Sequence, residues 1–145
     1  MILLSIVLAV LLWAVISGKL RFKLSMVRSD PCEAIIVTVA FRDDDQARPV
    51  VDVLLEERLV ACAQSVRIDS RYVWRGELFE HPEILVLLKT RLGVWEATRD
   101  RIKELHPYDT PEILMFPTTG GHEQFLRWIE DTTNPASPEQ TGPAT

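Results

Sequence analysis

Residues Ala34 to Phe41 form an apolar, β-branched run, Ala-Ile-Ile-Val-Thr-Val-Ala-Phe, with no helical period, which predicts a buried strand. Asp43, Asp44 and Asp45 follow and supply an N-cap and first-turn acids for a helix. The spacing of Val50, Val51, Leu54, Leu55 and Leu59 gives that helix its apolar face and carries it to about Leu59. Pro49 fits only in a first turn, where backbone N–H groups have no intrahelical partner, so the N-cap is expected toward Asp45.

From Cys62 to Arg75 the period changes to two. Cys62, Gln64, Val66, Ile68, Ser70, Tyr72 and Trp74 alternate with Ala63, Ser65, Arg67, Asp69, Arg71, Val73 and Arg75, the pattern of a long two-faced strand. Gly76 marks a turn, and the continuous apolar run Ile84 to Leu88 predicts a strand covered on both faces. The hairpin so formed is longer than a domain of this size requires, which predicts that part of it pairs with another subunit. Gly93 to Leu105 returns to helical spacing, with Trp95, Thr98, Ile102 and Leu105 on one face, and Pro107 ends that helix at His106. Glu112 to Phe116 reads as a fourth strand, and Gly120-Gly121 opens a last helix containing Phe125, Leu126, Trp128 and Ile129. The order is βαββαβ plus a terminal helix, an α+β, ferredoxin-like sandwich with an antiparallel sheet and two helices on one face.

Both ends of the chain lie outside this pattern. Met1 to Ile16 is apolar except for Ser5, and a helix through Ser17 would reach roughly 25 Å against a bilayer core of about 30 Å. Lys19, Arg21, Lys23 and Arg28 follow it, so residues 1–25 are expected to be a membrane anchor with a basic flank that leaves the domain on the cytoplasmic side, membrane association running through residues 1–17. Translation beginning at Met26 would instead leave a soluble cytoplasmic protein, and a cleaved signal is poorly marked because no basic segment precedes the apolar run. Residues 134–145 have nothing to bury and are expected to be disordered, leaving 33–133 as the folded domain.

Composition narrows the partners. With 145 residues, 47% hydrophobic, the chain supports one domain with a modest core, and larger structure must come from assembly. The net charge of −5 divides unevenly: the four basic residues before Asp30 contribute +4, so the remainder carries −9. An acidic body argues against nucleic acid and for small cations. Cys32 and Cys62 form no CxxC motif; a disulfide between them is permitted but not required.

The densest candidate chemistry is His106-Pro107-Tyr108-Asp109-Thr110-Pro111-Glu112. His106 follows a helix C-terminus, where the dipole favours its protonated form; Tyr108 can donate or accept, and Asp109 and Glu112 can orient an imidazole or ligate a cation. Read structurally, the same residues are a turn held by two prolines, with Tyr108 packed and His106 satisfied by a carbonyl. Tyr72, Trp74 and Arg75 could line a ligand pocket with Lys89 and Thr90 opposite, or simply pack. Cys62 is either a buried small hydrophobe or a metal donor, while His81 and His122 lack a ligand-type partner nearby in sequence. No Gly-rich phosphate loop, HExxH or GxSxG occurs.

Taken together, Glu57-Arg58-Leu59-Val60-Ala61-Cys62-Ala63-Gln64, Tyr72-Val73-Trp74-Arg75-Gly76-Glu77, Glu83-Ile84 ahead of Leu88-Lys89-Thr90, the His106 to Glu112 run, and Phe125-Leu126-x-Trp128-Ile129 resemble the CutA family of divalent-cation tolerance proteins. The resemblance covers about residues 33 to 133. It implies a ferredoxin-like subunit in a tight homotrimer whose hairpins pair across subunits, with similarity to PII signalling proteins, a role in tolerance of divalent metals including copper, and no established enzymatic reaction. It also implies an inter-subunit cleft that could gather Cys62, Tyr72, Trp74, Lys89, His106, Tyr108 and Glu112. His106, Glu112 and Cys62 are then the expected donors to a divalent metal ion, possibly copper, and Tyr72, Trp74, Lys89 and Tyr108 the contacts to a small molecule. Copper ligands ascribed to the family, a cysteine ending the first strand and a histidine pair before Pro-Tyr, correspond here to Val39 and to Leu105-His106, so only one of them remains. Gln64 and Pro49 also depart from the family pattern. A PII-like sensor is the alternative: Lys89, Arg75 and His106 would hold an anionic small molecule and the N-terminal segment would signal to a membrane partner. An acid–base enzyme using His106 with Asp109 or Glu112 ranks last, since no nucleophile or oxyanion donor accompanies them.

Overall fold

The computed structural model describes residues 33–134. Eight residues of β1 (Ala34–Phe41) lead into α1 (Asp44–Glu56), followed by β2 (Cys62–Trp74), β3 (Glu77–Arg91), a short 3-10 turn, α2 (Trp95–Leu105), β4 (Ile113–Pro117) and α3 (Glu123–Thr133). The four strands form one antiparallel sheet in the order β2-β3-β1-β4. This is the expected α+β, ferredoxin-like arrangement with an added C-terminal helix.

Alternation along the strands decides where the core sits. Ile35, Val37, Val39 and Phe41 of β1 and Ile84, Val86 and Leu88 of β3 point to one face, where Ala47, Val50 and Leu54 of α1 and Ile102 of α2 close over them. On the opposite face α3 covers only one end, packing Leu126 and Ile129 against Ala34 and Ala61. Beyond α3 that face is open, and Val66, Leu114 and Phe116 each expose about half their surface (50%, 52% and 49%). The expectation that Ile84 to Leu88 is covered on both faces is therefore corrected: Leu85 and Leu87, on the open side, are only partly buried.

The hairpin also runs further than its apolar core. Trp74 pairs with Glu77, and Arg75 (φ 52) and Gly76 (φ 85) form a two-residue turn with both positions left-handed, matching strand twist. β3 thus begins at Glu77, because its polar first half pairs residue for residue with Ile68 to Trp74. β1 reaches only Ile84, so this outer part is a two-stranded arm, and Val73 and Leu78 near its tip are 69% and 76% exposed.

The ends of α1 differ from expectation. Asp43, in extended backbone (φ −158, ψ 174), is the N-cap, and its carboxylate accepts the Gln46 N–H at 3.0 Å. That N–H, and next the Arg42 side chain, hold the Asp43 carboxyl below its ordinary range. Pro49 consequently lies in the second turn rather than the first, where it removes an N–H that would have bonded to the carbonyl four residues earlier. The helix stops at Glu56, short of Leu59. Arg58 turns left-handed (φ 56), its N–H bonds to the Leu55 carbonyl at 3.0 Å, and the Leu59 N–H bonds to the Leu54 carbonyl at 2.9 Å, a Schellman closure. The freed Leu59 carbonyl accepts the buried Thr90 hydroxyl at 2.7 Å, tying the α1 exit to β3, while the Thr98 hydroxyl of α2 shares its one proton between the Val94 carbonyl at 2.9 Å and Leu59 at 3.2 Å.

No helix among the described residues is long and apolar enough to cross a membrane. The expected anchor in residues 1–25, Cys32, and residues 135–145 of the expected tail lie outside the described residues.

Because Pro49 is exposed and inside α1, Pro49→Ala is expected to stabilise the domain by about 1–3 kcal/mol. Guanidinium denaturation measures it; a midpoint that stays the same or falls would mean that the proline costs the helix nothing.

Candidate functional site

Pro107 forces His106 out of helical backbone (φ −72, ψ 134), and this swings the imidazole inward instead of leaving it at the helix end. His106 is 7% exposed and stacks on Phe41, with ring centroids 4.5 Å apart. Nε2 lies 3.0 Å from the Ala40 carbonyl, and Nδ1 lies 3.0 Å from the Tyr108 backbone nitrogen. A carbonyl can only accept and an N–H can only donate, so Nε2 carries the proton and Nδ1 is the acceptor: the ring is the neutral tautomer. Burial lowers its pKa, outweighing the Ala40 carbonyl and the Glu83 charge, which act the other way. The expectation of a protonated His106 at the helix dipole is thus corrected, and neither ring nitrogen has a lone pair left for a metal.

This latch aims Tyr108. Its ring meets His106 edge-on at 5.0 Å, and its hydroxyl lies 3.5 Å from Oε1 of Glu83. Burial first, and then the Glu83 charge, raise the Tyr108 pKa. Glu83 is itself only 7% exposed. Between the loop 107–112 and the open face of the arm lies a cleft of about 730 Å³, lined by Tyr72, Trp74 and Tyr108, by the carboxylates Glu83, Asp109 and Glu112, and by Arg71 and Arg75, together with Ala40 and Ser70. Arg71 is paired with Glu80 at 2.8 Å, and Arg75 sits 5.8 Å over the Trp74 ring. Thr38 donates to Glu112 at 3.4 Å.

Of the expected site residues, Tyr72, Trp74, Tyr108 and Glu112 meet here, with His106 behind the wall. Cys62 and Lys89 do not. They face each other at the far end of the hairpin, while Tyr72 faces Phe79 and Trp74 faces Glu77. From Cys62 to Ser70 alone the strand covers roughly 26 Å at 3.3 Å per residue. Lys89 donates to Gln64, and Thr90 is buried on the helix side, so neither stands opposite Tyr72 and Trp74. The donor set Cys62, His106 and Glu112 is likewise not assembled within the chain, and among the described residues no three His, Cys, Asp or Glu side chains are placed to hold a metal ion. Val39 is fully buried and Leu105 packs against the core, so neither faces the cleft.

Two features escaped the sequence reading. Glu83 is the buried carboxylate of the cleft; alternation carried back from Leu87 and Leu85 would have put it on the open face with Tyr72. His81, apparently isolated in sequence, pairs with the Tyr72 hydroxyl at 2.9 Å across the hairpin.

Because native His106 resists protonation, the unfolded chain binds the proton more readily than the folded one below the unperturbed value of 6.5. Stability is therefore full above pH 6.5 and declines as pH falls from there toward the lowered native pKa, by at most about 1.4 kcal/mol per pH unit from this group. His106→Gln, whose amide can serve both partners without titrating, is expected to flatten that decline in denaturation series between pH 7.5 and 5.5. An unchanged slope would assign it to other groups.

Comparison with known proteins agrees with the geometry. The family model described as CutA1 divalent ion tolerance protein matches residues 35–132. The divalent-cation tolerance protein CutA of Pyrococcus horikoshii is 42% identical over 99 residues, 68% of this chain and 97% of that one. The protein of the same description from Thermus thermophilus is 37% identical over 102 residues, 70% of this chain and 97% of its own. The solved structure described as the periplasmic divalent cation tolerance protein CutA from Archaeoglobus fulgidus superposes with a TM-score of 0.68 at 30% identity, covering 70% of this chain and 99% of that one. With the family match spanning well over half of its length, the chain belongs to the CutA1 divalent ion tolerance family.

Proposed function

We propose that the protein serves divalent-cation tolerance as a non-enzymatic homotrimer, holding a cation weakly in the cleft or acting in regulation through it. The observation that carries this is that Glu83, Asp109 and Glu112 line one cleft of an acidic domain, spaced for weak attraction of a cation rather than for a three-donor site, beside relatives named for divalent-cation tolerance. Carboxylate oxygens suit harder divalent ions; tight copper binding calls for imidazole and sulfur donors, and within one chain His106 is fully engaged while Cys62, paired beside Lys89, lies outside the cleft. An acid–base role loses its base for the same reason. Within one chain the PII-like reading keeps only Arg75 of its three anion contacts in the cleft, because Lys89 pairs beside Cys62 and His106 is behind the wall; its site between subunits would take Lys89 from a neighbouring copy.

Trimerisation is supported by surface that a single chain leaves bare. Val66, Leu114 and Phe116 expose apolar area on the open face, and the arm presents two strand edges with Val73 and Leu78 at its tip. Sedimentation equilibrium is expected to give the mass of three chains, and Val66→Asp with Leu114→Asp to shift it toward one. A wild-type monomer would sink this assembly.

For the metal, calorimetric titration with Mg²⁺, Zn²⁺ and Cu²⁺ is expected to show weak binding that Glu112→Gln lowers several-fold and His106→Ala leaves unchanged. Loss of binding in His106→Ala alone, or no binding of any of the three ions, would refute the carboxylate site.

A further inference from the structure

A carboxylate can accept about four hydrogen bonds, and burying its charge is costly unless they are made. Glu83 as a residue is more than nine-tenths buried and takes one hydrogen bond, the 3.5 Å contact from Tyr108, but neither of its oxygens is sealed off without a partner, and the carboxylate opens on to the cleft. It has no ion-pair partner among the described residues, although Arg71 and Arg75 line the same cleft. Arg71 is committed to Glu80, and Arg75 is drawn over the indole of Trp74. The Trp74 face thus already attracts a cation, and Tyr72 and Tyr108 bring two further rings to the same space. A carboxylate that opens on to the cleft, three aromatic rings and a net excess of acids in about 730 Å³ describe a receptor for a small cation with N–H groups and an organic body.

We propose that the cleft binds a primary organic ammonium ion, its N–H groups donating to Glu83 and its apolar body lying between Tyr72, Trp74 and Tyr108. The aromatic walls distinguish this ligand from a metal ion, for which they offer nothing. Glu83 distinguishes it from an anion, which it repels. The two readings share Glu83 but part from there, since an ammonium ion adds the rings of Tyr72, Trp74 and Tyr108 while a hydrated divalent ion draws on Asp109 and Glu112.

The test is calorimetric titration of the full chain, in its assembled state, with 2-phenylethylammonium and with 2-phenylethanol, which differ only in the charged group. Saturable binding of the ammonium ion is expected, at least about tenfold tighter than any binding of the alcohol. Glu83→Gln should lose about that factor, and Trp74→Leu, on the exposed arm where folding is little affected, should weaken binding several-fold while keeping the preference for charge. Equal affinity for the alcohol, undiminished binding in Glu83→Gln, or no saturable binding by wild type, as when a neighbouring copy fills the cleft, would overturn the proposal. Ammonium binding without metal binding would overturn the metal reading alone, and the reverse would overturn this one alone.

Discussion

The constraint on which the rest of this structure depends is the period of two in a strand, fixed in phase by the pairing of β2 with β3. One parity of β3 sends Ile84, Val86, Leu88 and Thr90 beneath the helices; the other sends Phe79, His81, Glu83, Leu85 and Leu87 to the open face. The two-residue turn at Arg75 and Gly76 sets the register, so every cross-strand neighbour follows from it. A shift of one residue would exchange the two faces, carrying Glu83 into the helix-covered core and Ile84 into the cleft. The core and the site are two sides of one alternation.

A second chain of causes carries the fold to the cleft. Pro107 breaks α2, the break turns His106 inward, the imidazole bonds to Ala40 at the end of β1, and its other nitrogen holds the Tyr108 backbone. Tyr108 then reaches Glu83 on β3. Three elements and a loop are joined by a side chain that resembles a catalytic base in sequence and acts as a strut. Its neutrality is required by the arrangement, because a proton on Nδ1 would confront the Tyr108 N–H.

How much of this was legible in the sequence follows from which residues carry a local signal. The β-branched run of β1, the alternation of β2, the helical spacing of α2 and the Pro107 stop each depend on neighbours in the chain, and each is where the pattern puts it. The N-cap was ambiguous because three aspartates stand in a row and the choice of Asp43 rests on its extended backbone and the Gln46 N–H; Pro49 pointed the wrong way because tertiary packing of Val50 and Leu54 outweighs one lost hydrogen bond. The α1 exit was missed because Arg58 adopts a conformation usually left to glycine. At the site, Tyr72, Trp74, Tyr108 and Glu112 line one cleft as residue type suggested, whereas Lys89 and Cys62, expected in a cleft between subunits, lie away from it within one chain, as the register counted through the turn requires. Glu83 was overlooked because an acid beside an apolar run reads as a strand boundary, when it is the strand's most deeply placed charge.

The same reasoning separates what membership of the family establishes from what this cleft can do. A ferredoxin-like sheet with one bare face calls for a covering partner whatever the ligand, so assembly and recognition are separate demands on the same surface. The exposed apolar side chains on the two edge strands of that face, Val66 of β2 and Leu114 and Phe116 of β4, offer no hydrogen-bonding group and suit a protein surface. The cleft beside it combines aromatic rings with a carboxylate that opens on to it, a combination that suits a small charged ligand better than a flat apolar surface. Within one chain the Cys62 thiol pairs beside Lys89 while the His106 imidazole is held at Ala40, so a thiolate–imidazole donor set does not form there, and the cleft presents oxygen atoms and ring faces instead.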